Sequence, residues 1–194
     1  RQQVILADKQ QRAEWARGLA KPDQVRSGAT LFVAADQPLA VHWTGQAWVF
    51  ARTGGTWLQQ GPSFRGADRE AITVATGVAI SADGNTGILG APAMQAAYPV
   101  VRIAGNWQPQ DLLQDATAGG SQGSSVALSA DGNTAVWGGY DFDGRSGAAW
   151  VGTRSGTTWV QDGAKLLGSG RLGESAMGYS AALAADSRAE VTIA

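Results

Sequence analysis

The chain has 194 residues, a formal net charge of −1, no cysteine and a single histidine, His42. Disulfides, thiolate metal sites and multi-histidine metal clusters are thereby excluded, and near-neutrality removes the electrostatic basis for binding nucleic acid or an anionic membrane. No apolar run approaches the ~18 residues of a membrane-spanning helix, so neither nucleic-acid binding nor membrane insertion is expected.

In chain order, the first segment is "VILADKQQRAEW" (4–15), a faint hairpin ending at Trp15. Part of it, "DKQQRAEWARGLA" (8–20), has helical composition and read alone would be a helix. "LFVAADQPLAVHW" (31–43) places Asp36 between two short apolar segments, as an eroded turn. His42 and Trp43 follow it and read as a packing pair. Next comes "QAWVFARTGGTWLQQ" (46–60), two apolar strands around Gly-Gly. "VAISADGNTGILG" (78–90) and "VALSADGNTAVWG" (126–138) repeat one hexapeptide, with its apolar flanks, forty-eight positions apart. Between and after them stand "AAYPVVRIAGNWQPQ" (96–110) and "AAWVGTRSGTTWVQD" (148–162). "YSAALAADSRAEVTIA" (179–194), with Asp186 as its eroded turn, closes the sequence.

Two hairpin types therefore alternate. In the second type an aromatic is followed by arginine four residues on and by tryptophan five further: Trp48, Arg52, Trp57; Tyr98, Arg102, Trp107; Trp150, Arg154, Trp159. The period is about fifty residues, a length characteristic of repeat architectures. Asp-Gly, Gly-Gly and Ser-Gly supply the positive φ that tight hairpin turns need. Two hairpins per period make a four-stranded antiparallel sheet. The expected fold is all-β, a β-propeller with about four blades, at 31–60, 77–110, 125–162, and 180–194 paired with 1–17 if the ring closes. The small apolar first strands suit a crowded centre, and the tryptophans suit packing between blades. A start at Arg1 and a stop inside an apolar stretch read as a piece of a longer chain and larger ring.

The motif order resembles the FG-GAP repeat of integrin-α-like β-propellers, in its bacterial form. "GAP" stands at 90–92 and becomes "GGY" at 138–140, while the Phe-Gly-x-Ser element survives as "QGSS" (122–125) and "MGYS" (177–180). The resemblance covers most of residues 30–194 and implies a non-enzymatic binding or scaffold module on a secreted or cell-surface protein, with an extracellular location. Many such blades bind Ca²⁺ through an Asp-rich loop in the first hairpin. Here each "SADGNT" carries one carboxylate, too few for an ion that takes ~6–8 oxygen ligands, so neither metal nor cofactor is expected. Asp83 and Asp131 read instead as turn residues accepting backbone N–H bonds.

The connections differ in length by face. One set is tight; the other, at 61–76, 111–123, 139–147 and 163–178, is long and is the expected ligand face, for a protein or glycan partner. Within it "YDFDGRS" (140–146) concentrates chemistry: Tyr140, Asp141, Asp143 and Arg145 are the candidate ligand-binding residues, against a plain solvated turn in which Arg145 neutralises an aspartate. A lectin with sugars on recurrent aromatics is the alternative, and it requires an exposed aromatic at the same slot in every copy. A carbohydrate-active enzyme is the weakest reading. Asp68, Glu70, Asp111, Asp115 and Glu174 lie in loops, but nothing in the sequence pairs two of them across a cleft, and no catalytic residue is assigned.

Overall fold

The computed structural model describes residues 3–6, 30–39, 42–53, 56–63, 77–116, 119–170, 173–184 and 191–194. They form four antiparallel sheets, so the protein is all-β. The first sheet runs β1 (Gln3–Leu6), β2 (Thr30–Leu39), β3 (His42–Thr53) and β4 (Thr56–Gln59) in spatial order. The second holds β5 (Val78–Ile80), β6 (Thr86–Ala91), β7 (Ala96–Ile103) and β8 (Asn106–Pro109). The third holds β9 (Ser125–Leu128), β10 (Thr134–Gly139), β11 (Ala148–Ser155) and β12 (Thr158–Gln161). β13 (Ala181–Leu183) and β14 (Val191–Ile193) make a two-stranded fourth sheet. Among the described residues no helix is long and apolar enough to cross a membrane.

The sequence repeat is a repeat of register. Trp57, Trp107 and Trp159 stand directly across from Arg52, Arg102 and Arg154 in the outer strand pair of their sheets. One pair inward, Trp48, Tyr98 and Trp150 stand across from Val33, Leu89 and Trp137. Neighbouring sheets meet through their first strands: β5 lies against β1 and β2, β9 against β5 and β6, and β13 against β9 and β10.

Each middle sheet is buried on both faces, which explains why its strands are continuously apolar rather than alternating. Along β6 and β7, Leu89, Tyr98 and Val100 enter the core shared with the first sheet, whereas Ile88 and Ala97 enter the core shared with the third. Along β10 and β11, Trp137 and Trp150 face the second sheet, and Val136 and Ala149 face the fourth. Trp137 and Trp150 are fully buried and stack with centroids 6.4 Å apart at 11°. Aromatics of this size dominate core energetics.

Several expectations shift. Asp36 is not a turn: it lies inside β2, opposite Gly45, and the chain reverses only after Leu39. "AADQP" contains no glycine, so nothing supplies the positive φ that Gly84 (φ 72°) and Gly132 (φ 72°) give the two intact turns. The first sheet accordingly takes its first strand from Gln3–Leu6, ahead of residue 31. β1 pairs with β2 and β13 with β14. The helix-or-hairpin segment at 8–20, Trp15, and the side chains of His42 and Trp43 lie outside the described residues.

Candidate functional site

The two "SADGNT" turns have one geometry. Asp83 Oδ1 accepts from Ser81 Oγ at 2.5 Å and from the Asn85 N–H at 3.0 Å, and Ser81 Oγ accepts the Thr86 N–H at 3.0 Å. Asp131, Ser129, Asn133 and Thr134 repeat this at 2.5, 3.0 and 2.9 Å. The repeated hexapeptide is therefore a self-satisfied tight turn. The Asn85 and Asn133 carbonyls accept the Arg102 and Arg154 N–H groups at 2.8 Å, tying each turn to the third strand of its own sheet. The Ala82 N–H donates to the Ala130 carbonyl at 2.8 Å and links the turns of neighbouring sheets.

Partial burial pushes the Asp83 carboxyl up, but hydrogen bonds from Ser81 and Asn85, with the Arg154 charge, outweigh it and hold it below its ordinary 3.8. For Asp131 the Ser129 hydrogen bond leads, followed by the Asn133 N–H, and the result is again below 3.8. A carboxylate with a depressed folded value contributes stability above its unfolded value and loses it as pH falls through the folded one. Urea midpoints measured from pH 6 to pH 2 should therefore drop below about pH 4, and Asp83→Asn with Asp131→Asn should flatten that drop. Equal acid limbs in the two proteins would refute the assignment.

At the other end of the sheets the described parts of the loops 111–123, 139–147 and 163–178 meet in one surface, while most of the loop 61–76 lies outside the described residues. Between β10 and β11 the chain makes a helical turn, Phe142–Arg145, in which Asp143 (φ 49°), Gly144 (φ 61°) and Arg145 (φ 67°) are all left-handed. Two non-glycine residues in this region store strain, of order 1 kcal/mol or more each. The surroundings hold them there. Phe142 is wedged edge-on against Trp150, with centroids 6.0 Å apart at 88°. The Asp141 N–H donates to the Gly120 carbonyl at 3.2 Å, and the Arg145 carbonyl accepts the Ala176 N–H at 2.7 Å. Ser175 Oγ donates to the Ser146 carbonyl at 2.8 Å.

This anchoring sets the candidate residues at the surface. Asp141, Asp143 and Arg145 are exposed, and Tyr140 is half-buried with its ring edge-on to Tyr179, 5.7 Å away. Arg145 pairs with Glu174 at 3.3 Å, not with either aspartate of its own turn, so the solvated turn neutralised from within is corrected. Both partners are more than half exposed, and such a pair adds under about 1 kcal/mol. Sequence reading missed Tyr179 as a member of this surface. Its signal was the "MGYS" element, where the preceding copy, "QGSS", has Ser124 in place of Tyr179.

Beneath the surface a polar knot joins three loops. Asp115 Oδ2 accepts from Trp150 Nε1 at 3.1 Å and lies 3.6 Å from Lys165 Nζ, which also sits 5.2 Å from the Phe142 ring centroid. Of the carboxylates considered for hydrolysis, Asp115 is thus committed to Lys165 and Trp150, and Glu174 to Arg145. Asp111 is exposed, and Asp68 and Glu70 lie outside the described residues. Among the described residues no three His, Cys, Asp or Glu side chains gather as a cation site requires. No protein-family model matches the sequence, and no curated protein matches it significantly.

Proposed function

We propose that the sheets are blades of an integrin-α-like β-propeller built from FG-GAP repeats, and that the chain is a non-enzymatic binding module of a bacterial secreted or surface protein. Its partner, a protein, engages the long-loop face at Tyr140, Asp141, Asp143 and Arg145. Support for the propeller comes from the succession of first strands between neighbouring sheets and from the identical register of the Arg–Trp pairs. The observation that carries the binding role is the cross-tied loop surface, in which hydrogen bonds fix exposed carboxylates, a cation and the exposed Tyr179 on a rigid base. Preorganised polar groups beside an aromatic are what protein recognition uses. A lectin with one sugar site per repeat is less well supported: the tryptophan slot is half-buried at Trp57 and Trp107 but only 7 % exposed at Trp159.

The test is affinity capture of extracellular proteins from the source organism by the wild type and by Asp141→Asn with Asp143→Asn. Exposed loop substitutions alter stability by under ~0.5 kcal/mol, so the variant should melt like the wild type. A captured partner should bind the double variant about tenfold or more weakly, since charge-assisted contacts are lost. Unchanged affinity in that variant, with loss on altering the "SADGNT" turns, would move the functional face to the opposite end.

A further inference from the structure

Two of the chain's three tyrosines lie against each other. Tyr140 directly follows β10 and Tyr179 stands two residues ahead of β13, with ring centroids 5.7 Å apart and an interplanar angle of 65°. We propose that they are the site of an intramolecular dityrosine cross-link, made by a haem peroxidase with hydrogen peroxide. The link staples the loop after β10 to the lead-in of the fourth sheet, independently of any partner bound there.

The backbone holds both residues in place. Gly139 and Gly178 immediately precede the two tyrosines and pack against each other, so that a Cβ on Gly178 would stand 2.7 Å from the Gly139 nitrogen. The Gly178 carbonyl accepts from Ser125 Oγ at 2.8 Å. The Tyr179 and Ser180 N–H groups donate to the Ala176 and Ala194 carbonyls at 3.2 and 2.9 Å. Coupling is then a step between groups already in contact, which favours it over reaction with a second molecule in solution.

The repeat does not require this pair. At the preceding junction Pro92 stands in place of Tyr140 and Ser124 in place of Tyr179. The Ser124 N–H still donates to the Ser121 carbonyl at 3.1 Å, as Tyr179 does to Ala176. The same lead-in forms there without an aromatic, so inter-sheet packing does not account for the two tyrosines here.

The chemistry is that of exposed phenols. Tyr179 is 71 % exposed and opens the pair to an oxidant, whereas Tyr98, the third tyrosine, is only 5 % exposed. Each phenol gives up one electron and one proton, leaving a radical shared between its oxygen and its Cε carbons. Two Cε carbons join, and the hydrogen of each moves to its oxygen as the ring regains aromaticity. In sum two Cε–H bonds break and one C–C bond forms, while two electrons and two protons reduce one peroxide to two waters. The chain has no cysteine, whose thiol would be oxidised in competition. A biaryl bond is twisted, so the angle between the rings need not be undone and the exposed Tyr179 ring has only to swing inward.

The experiment treats the full chain at micromolar concentration with a haem peroxidase and one equivalent of hydrogen peroxide. Dityrosine fluorescence should appear in material that still runs as a monomer on a denaturing gel. Mass spectrometry of the digest should find the Tyr140 and Tyr179 peptides joined with the loss of two hydrogens. Tyr140→Phe and Tyr179→Phe keep the ring contact, yet each should cut the monomer's signal about tenfold or more, and Tyr98→Phe should not. The linked peptides identify the residues in the wild type even if a phenylalanine variant proves unstable. The link joins residues thirty-nine positions apart, so the linked chain should melt about 5 °C or more above the equally treated Tyr179→Phe chain. The proposal is overturned if the fluorescence is confined to covalent dimers, if Tyr98 replaces either partner, if the signal persists in either phenylalanine variant, or if the linked monomer melts no higher.

Discussion

Replacing Gly123 with alanine is expected to cost about 3 kcal/mol or more, a large part of the ~5–15 kcal/mol that holds a typical domain together. Gly123 has φ 86°, and its N–H donates to the Gly138 carbonyl at 2.9 Å. A Cβ there would stand 2.8 Å from the Ala91 nitrogen and closer still to the Ala96 carbonyl oxygen, both in the corner between β6 and β7 of the preceding sheet. Those atoms belong to a paired backbone, so they cannot swing aside as a side-chain end could. Left-handed strain contributes about 1–2 kcal/mol and the backbone collision about 1–3 more. Gly178 occupies the same position one repeat later, with φ 92°, against the corner formed by Gly139 and Ala148. The glycine of each "xGxS" element is therefore the point where one sheet's lead-in touches the next sheet's corner. Gly156→Ala is the control. Its φ of 63° demands the same left-handed region, but nothing lies within 4 Å of its would-be Cβ, so it should cost only about 1 kcal/mol. Thermal melts of the three proteins decide the matter, with the Gly123 variant expected to melt about 6–12 °C low. Equal losses at Gly123 and Gly156 would show that the close approach contributes nothing.

Local signals of the fold were legible where chemistry repeats on a period. The arginine and tryptophan of each second hairpin occupy facing positions because both flank a two-residue turn, so their spacing of five residues fixes the register. The same logic failed at Asp36, where an aspartate between apolar segments mimicked a turn. Without a following glycine the strand simply continues, for ten residues. The candidate loop was visible as a cluster of unlike polar residues, and its exposure follows from that polarity. Its ion pair was not. Arg145 reaches Glu174, twenty-nine residues on, because the Arg145 and Ser146 carbonyls are bonded to Ala176 and Ser175. Only tertiary pairing of two loops brings those groups together.

The polar knot under the loop face yields the second large expected effect, at a residue whose side-chain role no sequence signal marked. Gln122 opens the "QGSS" element, and it is fully buried. Its Oε1 accepts from the Asp115 N–H at 2.9 Å and from Trp137 Nε1 at 3.3 Å, while its Nε2 donates to the Asp115 carbonyl at 2.9 Å. Both backbone groups of Asp115 are thus held by one amide. That fixes the carboxylate beneath Trp150 Nε1 and beside Lys165. Gln122→Met keeps the volume nearly constant, so cavity and packing terms stay below about 1.5 kcal/mol. It removes the partner that the buried Trp137 Nε1 and the two part-buried backbone groups of Asp115 share, each worth about 1–3 kcal/mol when buried and left unsatisfied. Some relaxation toward solvent is available to Asp115, which is half-buried, so the net expected loss is about 2–4 kcal/mol. A second readout separates this from general loosening. Amide hydrogen exchange at Asp115 should accelerate far more than exchange in β5 and β6, because the loop loses its clamp while the sheets keep their ladders. If the proposed binding role holds, the loop face should also lose affinity for the captured partner, since Asp115 and Lys165 support Phe142 and hence the strained turn at 143–145. If Gln122→Met melts within about 0.5 kcal/mol of the wild type and exchange at Asp115 is unchanged, the amide clamp does not organise the face.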